Sequence, residues 1–154
     1  KQSCPTVPRY GMPYSGIELS DRDLLRQFNC RRIVFIPTLQ LLRSRLQLEG
    51  IQVLEAQNGH EALEHLQQTK VHAVITDLMM PQVDGFDVLL NAKKINPSTD
   101  VLILTGYPSL ENERRCRTLG CTDVLSKPFA VTAIRSLVER CVRTRVARLA
   151  TAWE

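Results

Sequence analysis

Three residues that could do chemistry stand at the ends of short apolar segments. Asp77 follows Ala73–Thr76, Thr105 follows Val101–Leu104, and Lys127 follows Asp123–Ser126. They offer a carboxylate, a hydroxyl and an ammonium group, which act together only if those segments lie side by side. The corresponding position after Ile33–Ile36 carries Pro37 and Thr38. Other reactive side chains form no pattern. Cys4, Cys30, Cys116, Cys121 and Cys141 are scattered without a Cys-x-x-Cys pair, so reduced thiols are expected rather than a zinc site. His60, His65 and His72 are not spaced as ligands and read as surface or helix-face residues. Met79 and Met80 read as loop packing.

The elements that must position these residues follow a regular rhythm from residue 33. Apolar strand segments at Ile33–Ile36, Ile51–Ala56, Ala73–Thr76, Val101–Leu104 and Asp123–Ser126 alternate with helical spacing. Leu39, Leu42 and Leu46 mark the first helix, which ends near Gly50. Asn58, with Glu61 three residues on, caps the second, whose inner face is Ala62, Leu63 and Leu66. Asp84-Gly85-Phe86-Asp87 opens the third, with Phe86, Leu89 and Leu90 facing inward and Asn96-Pro97-Ser98 stopping it. Pro108-Ser109 opens a polar fourth helix that Gly120 ends, and Ala130 begins the fifth. Five β–α units in about 110 residues predict an α/β fold, a doubly wound parallel sheet with helices on both faces. In such folds chemistry sits beyond the carboxyl ends of the strands, which selects Pro37, Thr38, Asp77, Thr105 and Lys127.

At these positions the chain resembles the receiver domain of response regulators. The resemblance rests on Thr76-Asp77-Leu78-Met79-Met80-Pro81 with Asp84-Gly85, on Leu104-Thr105-Gly106, and on Ser126-Lys127-Pro128-Phe129. Asn58-Gly59-x-Glu61-Ala62-Leu63 and Gly120-Cys121-Thr122-Asp123 add to it. It implies a flavodoxin-like (βα)5 fold with strand order 2-1-3-4-5. It also implies that Asp77 is the phosphoacceptor, that Thr105 and Lys127 contact the phosphoryl group, and that the Lys127–Pro128 bond is cis. Phosphoryl transfer to a carboxylate brings negative charge onto negative charge, so a cation and several donors must offset the repulsion.

Two positions depart from the family pattern. The resemblance calls for a pair of acidic residues after the first strand to hold Mg²⁺, where this chain has Pro37 and Thr38. The metal would keep Asp77 and the backbone carbonyl of Met79. Mg²⁺ favours carboxylate oxygens, and one unit-charge attraction at ~4 Å is worth about 4 kcal/mol at an effective dielectric of ~20. Much weaker metal binding is therefore expected. Glu55, near the end of the second strand, is not expected to reach. The second departure is Val124, three residues before Lys127, where the family commonly places the Tyr or Phe that swings inward on activation. Valine has no ring to swing. Without neighbouring acids, Asp77 is expected to form a direct ion pair with Lys127.

The expected function is an atypical receiver, or pseudo-receiver, in two-component phosphorelay signalling. It would act mainly as a phosphorylation-independent protein-interaction module and not as an enzyme. The alternative is a working receiver phosphorylated on Asp77 by a histidine kinase. No cofactor is expected, Mg²⁺ entering only under the alternative. The partner would be an effector protein or a histidine kinase. A homodimer is also open, through the face of the fourth and fifth helices or through the C-terminal helix.

Three segments are expected: an arm with a short helix after Ser20 over residues 1–32, the receiver over 33–142, and a helical extension over 143–154. In that extension an apolar stripe continues through Val146, Leu149 and Trp153. The net charge of +4 is concentrated at the two ends, and the central segment carries nine basic and eleven acidic groups. Arg114, Arg115 and Arg117 read as a solvated face. No helix-turn-helix pattern follows residue 142 and no aromatic residues interleave the basic ends, which argues against nucleic-acid binding. Pro37-Thr38-Leu39-Gln40-Leu41 is not a phosphate loop, which argues against a flavin enzyme on the same fold. No apolar run approaches the ~20 residues of a membrane span, and Lys1-Gln2-Ser3-Cys4-Pro5 carries no signal-peptide core. A cytoplasmic location follows as the expectation, and the chain, which begins without Met, is read as a piece of something larger.

Overall fold

The computed structural model describes residues 32–35, 43, 44, 47, 51–130 and 132–140. The N-terminal arm, the helix after Ser20, Pro37, Thr38 and the apolar stripe beyond residue 140 lie outside them. The strands are β1 (Arg32–Phe35), β2 (Gln52–Glu55), β3 (Ala73–Asp77), β4 (Asp100–Thr105) and β5 (Asp123–Ser126). They form one parallel sheet in the order β2-β1-β3-β4-β5, as the sequence predicts. The helices are α1 (Gly59–Gln68), α2 (Gly85–Ile95) and α3 (Leu110–Thr118), followed by α4 over residues 132–140. Residues 43, 44 and 47 are also helical. Among the described residues, no helix is long and apolar enough to cross a membrane.

Alternation along the strands sends side chains to two separate cores. Val34, Val74, Val101 and Ile103 point to one face, where they meet Ala62 and Leu66 of α1, Val88, Leu89 and Ala92 of α2, and Cys116 of α3. Ile33, Ala73, Ile75, Leu102 and Leu104 point to the other, against Ile134, Leu137 and Val138 of α4. β4 is therefore buried on both sides, which is why it reads as an unbroken apolar run rather than an alternating one. Full burial of each Ile or Leu there stabilises by about 1.5–3 kcal/mol.

Local chemistry sets the helix ends. Asn58 Oδ1 accepts the Glu61 N–H at 3.0 Å, and Glu61 Oε2 accepts the N–H of Gln57 at 2.7 Å. Asp84 and Asp87 form a reciprocal capping box at the start of α2. α3 ends on Gly120 at φ 89°, a conformation that suits glycine. There the Gly120 N–H donates to the Arg117 carbonyl and the Cys121 N–H to the Cys116 carbonyl, each at 3.0 Å. One inward position expected in α2 is corrected: Leu90 is exposed, and Val88 and Ala92 are buried with Phe86 and Leu89. At 100° per residue, Gly85, Val88, Leu89 and Ala92 fall within an arc of about 100°, Phe86 sits at its edge, and Leu90 points about 150° away from its centre.

Candidate functional site

The site lies at the carboxyl ends of three neighbouring strands. Asp77 is level with Leu104 in the β3–β4 ladder, and the next N–H, of Leu78, donates to the Leu104 carbonyl at 2.8 Å. Thr105 is level with Ser126, and the Lys127 N–H donates to the Thr105 carbonyl at 2.7 Å. The sheet thus carries Asp77, Thr105 and Lys127 out on adjacent strands at nearly one height. The Lys127–Pro128 peptide is cis. Lys127 Nζ lies 2.8 Å from Asp77 Oδ1, forming the ion pair that the sequence predicts. The two side chains are 30% and 23% exposed, so the pair sits in a crevice open to water rather than in the core. The Thr105 side chain is buried, and its Oγ1 accepts the backbone N–H of Tyr107 at 3.1 Å.

Two glycines clamp the segment that carries Asp77. A Cβ at Gly85, the first residue of α2, would stand 2.4 Å from the Asp77 carbonyl oxygen and 2.8 Å from Leu78 Cα. The Gly85 N–H donates to the Leu78 carbonyl at 2.8 Å. A Cβ at Gly59, the first residue of α1, would stand 2.5 Å from the Val83 carbonyl oxygen, in the loop between β3 and α2. That loop turns sharply at Gln82, whose φ is 68°, with the Val83 N–H donating to the Pro81 carbonyl at 2.9 Å. Both helices can seat against the loop because neither first residue has a side chain. The patterns Asn58-Gly59 and Asp84-Gly85 are visible in the sequence, but the atoms they approach are not.

Other candidate residues fall elsewhere. Glu55 is level with Phe35, which is level with Ile75. It thus lies about two strand spacings, or ~10 Å, from β3 and two residues short of Asp77. Its carboxylate pairs with Arg43 at 2.8 Å. His65 Nε2 contacts the Glu55 carbonyl at 2.9 Å, and His72 Nδ1 accepts the Arg32 N–H at 3.3 Å. Among the described residues, no three His, Cys, Asp or Glu side chains are grouped as a metal site would require.

The α3 arginines Arg114, Arg115 and Arg117 are exposed, as expected of a solvated face, and two of them also make contacts. Arg115 stacks over Phe86 at 3.9 Å, and Arg117 pairs with Glu113 at 2.9 Å and with Asp123 at 3.6 Å. Asp123 also receives Arg140 of α4 at 3.0 Å, which ties the two helices across β5. Met79 is exposed rather than packed, whereas Met80 packs on the core. Val124, on β5, borders a cavity of about 210 Å³ under the start of α3. The sequence offers no signal for this cavity, whose lining residues come from segments far apart in the chain.

Fold and crevice together define a receiver. A family model described as response regulator receiver domain matches residues 37–139, and the chain belongs to that family. It is similar to sporulation initiation phosphotransferase F of Bacillus subtilis (strain 168), with 31% identity over 100 residues, covering 65% of this chain and 81% of that protein. It is also similar to a cyclic di-GMP phosphodiesterase of Thermotoga maritima, with 31% identity over 109 residues, covering 71% of this chain but 29% of that protein. Transcriptional regulatory protein GlrR of Escherichia coli (strain K12) is 34% identical over 101 residues, covering 66% of this chain and 23% of that protein. The match thus spans less than a third of these two longer relatives.

Among solved structures, the receiver domain of Francisella response regulator 1452 aligns with a TM-score of 0.67 and 27% identity, over 75% of this chain and 98% of that one. A CheY-like receiver domain protein from Methanospirillum hungatei JF-1 aligns with a TM-score of 0.72, over 77% of this chain and 98% of that one. At 22% identity it speaks for the fold alone.

Proposed function

We propose that this receiver signals through protein contact and does not depend on a phosphoryl group at Asp77. The observation that carries the reading is the direct Asp77–Lys127 ion pair at 2.8 Å, with no three-residue acidic or histidine group around it among the described residues. The sequence supplies Pro37 and Thr38 where a magnesium-binding receiver would place carboxylates. One carboxylate already paired with an ammonium does not make a site for an ion that favours several anionic oxygens. On this reading the donor set does not suit Mg²⁺, and no step of the proposed function runs through the metal. Lys127 instead does the neutralising that a metal shares elsewhere, and holds Asp77 in one position.

The surface assigned to the partner is the face of α3, β5 and α4. It presents the exposed Tyr107 and Leu110 beside the Arg117–Asp123–Arg140 network. An effector protein, a histidine kinase or a second copy of the chain would fit that description. The reading is tested by incubating the full chain with Mg²⁺ and either acetyl phosphate or beryllofluoride. The expected result is no added mass and no spectral change. A change that disappears in Asp77→Asn would establish the opposite reading, a working phosphoacceptor. That reading draws support from the alignment of Asp77, Thr105 and Lys127 on adjacent strand ends.

A further inference from the structure

α3 ends on the run Cys116-Arg117-Thr118-Leu119-Gly120-Cys121. Gly120 stands at φ 89°. Its N–H donates to the Arg117 carbonyl and the Cys121 N–H donates to the Cys116 carbonyl, each at 3.0 Å. This pair of bonds is a Schellman cap, in which the residue after the glycine folds back and its side chain meets the one five positions earlier. Here both of those side chains are cysteines. With the Cys121 nitrogen 3.0 Å from the Cys116 oxygen, bond lengths alone keep the two Cα atoms within about 7 Å of each other, the outer limit for a disulfide. The two side chains share one core: Cys116 is fully buried in it, and the half-buried Cys121 packs against it. Both are free thiols. Burial raises the Cys116 thiol, and burial with Cys116 alongside pushes Cys121 up to about 11. The pair is therefore protonated at neutral pH, and its chemistry there is slow.

We propose that Cys116 and Cys121 form a redox modification site, where a low-molecular-weight disulfide such as oxidised glutathione converts the two thiols into a disulfide that staples the end of α3. Cys121 is the point of entry, because Cys116 is buried and Cys121 reaches solvent. The Cys121 sulfur gives up its proton and attacks one sulfur of the oxidant, whose S–S bond breaks and releases one thiol. The Cys116 sulfur then loses its proton, attacks the Cys121 sulfur of the mixed disulfide and expels the second thiol. Two S–H bonds of the protein give way to one S–S bond, and two electrons and two protons leave in two molecules of reduced thiol. The new bond closes a short loop, which restricts the opening of the last turn of α3. That turn carries Arg117, which pairs with Asp123 of β5. Oxidation thus fixes one edge of the face between α3 and β5 and leaves the Asp77–Lys127 pair untouched. The modification does not depend on what docks on that face.

Peptide mapping and NMR on the full chain test it. After incubation with oxidised glutathione, trypsin should release the peptide Cys116-Arg117 joined to the peptide that begins at Thr118, and a reductant should separate them. The same linkage should form when Cys4→Ser, Cys30→Ser and Cys141→Ser are combined, since none of those thiols takes part. In the oxidised chain, hydrogen exchange at the Gly120 and Cys121 amides, which cap the helix, should slow by roughly tenfold or more. Cys121→Ser given the same treatment should keep the exchange rates of the reduced chain. The site is overturned if glutathione stays on Cys121 without passing to Cys116. It is overturned equally if neither cysteine reacts under conditions that link the pair in urea. A linked chain with unchanged exchange at Gly120 and Cys121 would refute the staple.

Discussion

The two sides of the crevice are built to different tolerances. On the β3 side, α1 and α2 press onto the Asp77 segment so closely that the first residue of each must be glycine. On the β4–β5 side, α3 buries Cys116 but leaves a cavity under its first turn, with Tyr107 and Leu110 exposed above it. The difference shows where each task is placed. The Asp77 carboxylate must be held still to keep its ion pair, and close-packed backbone does that. On the face proposed to meet partners, the looser packing permits alternative shapes.

The strongest test of this contrast is a matched pair of substitutions. Gly85→Ala forces a methyl onto the Asp77 carbonyl and should destabilise the fold by about 3 kcal/mol, the upper range for overpacking. Gly106→Ala, with open space around it, should shift stability by less than about 0.5 kcal/mol. Urea unfolding measures both, and equal effects would erase the distinction. A smaller difference is expected at the helix caps. Asp84→Ala removes a capping box and should cost about 1–2 kcal/mol, whereas Ser109→Ala removes a single hydrogen bond to Asn112 and should cost about 0.5–1 kcal/mol.

A pH-dependent effect concerns the foot of α3. Burial, reinforced by Cys116 beside it, pushes the Cys121 thiol up from 9.0 to about 11. The unfolded chain releases that proton first, so this contribution to stability is present below pH 9 and is lost as pH rises to about 11. The urea midpoint should therefore fall across that interval by more in the wild type than in Cys121→Ser. Parallel curves would mean that the foot of α3 is as open to water as its head.

Much of this is legible in the sequence because it is local or periodic. Alternation and helical spacing locate the five strands and the described helices. Asn58, Asp84 and Ser109 mark helix starts by their capping chemistry, and Gly120 marks an end. Asp77, Thr105 and Lys127 stand out because a parallel sheet brings strand ends together, and their ion pair follows from opposite charges with no competing acid in view. Leu90 is misplaced by the same reasoning because three apolar residues in one helix do not set its phase to within one position.

The chain's order of residues thus determined the strands, their parallel doubly wound arrangement and the identity of the crevice residues, since these depend on periodicity and on charge type, whereas the strand order came from the resemblance to receiver domains. Only the folded structure decided that Glu55 belongs to Arg43, that Gly59 and Gly85 touch the Asp77 segment, that Arg115 rests on Phe86, and that a hollow lies beside Val124. Those outcomes depend on distances of a few ångströms between residues far apart in the chain. Such distances are set by how every helix seats at once, and no local pattern encodes them.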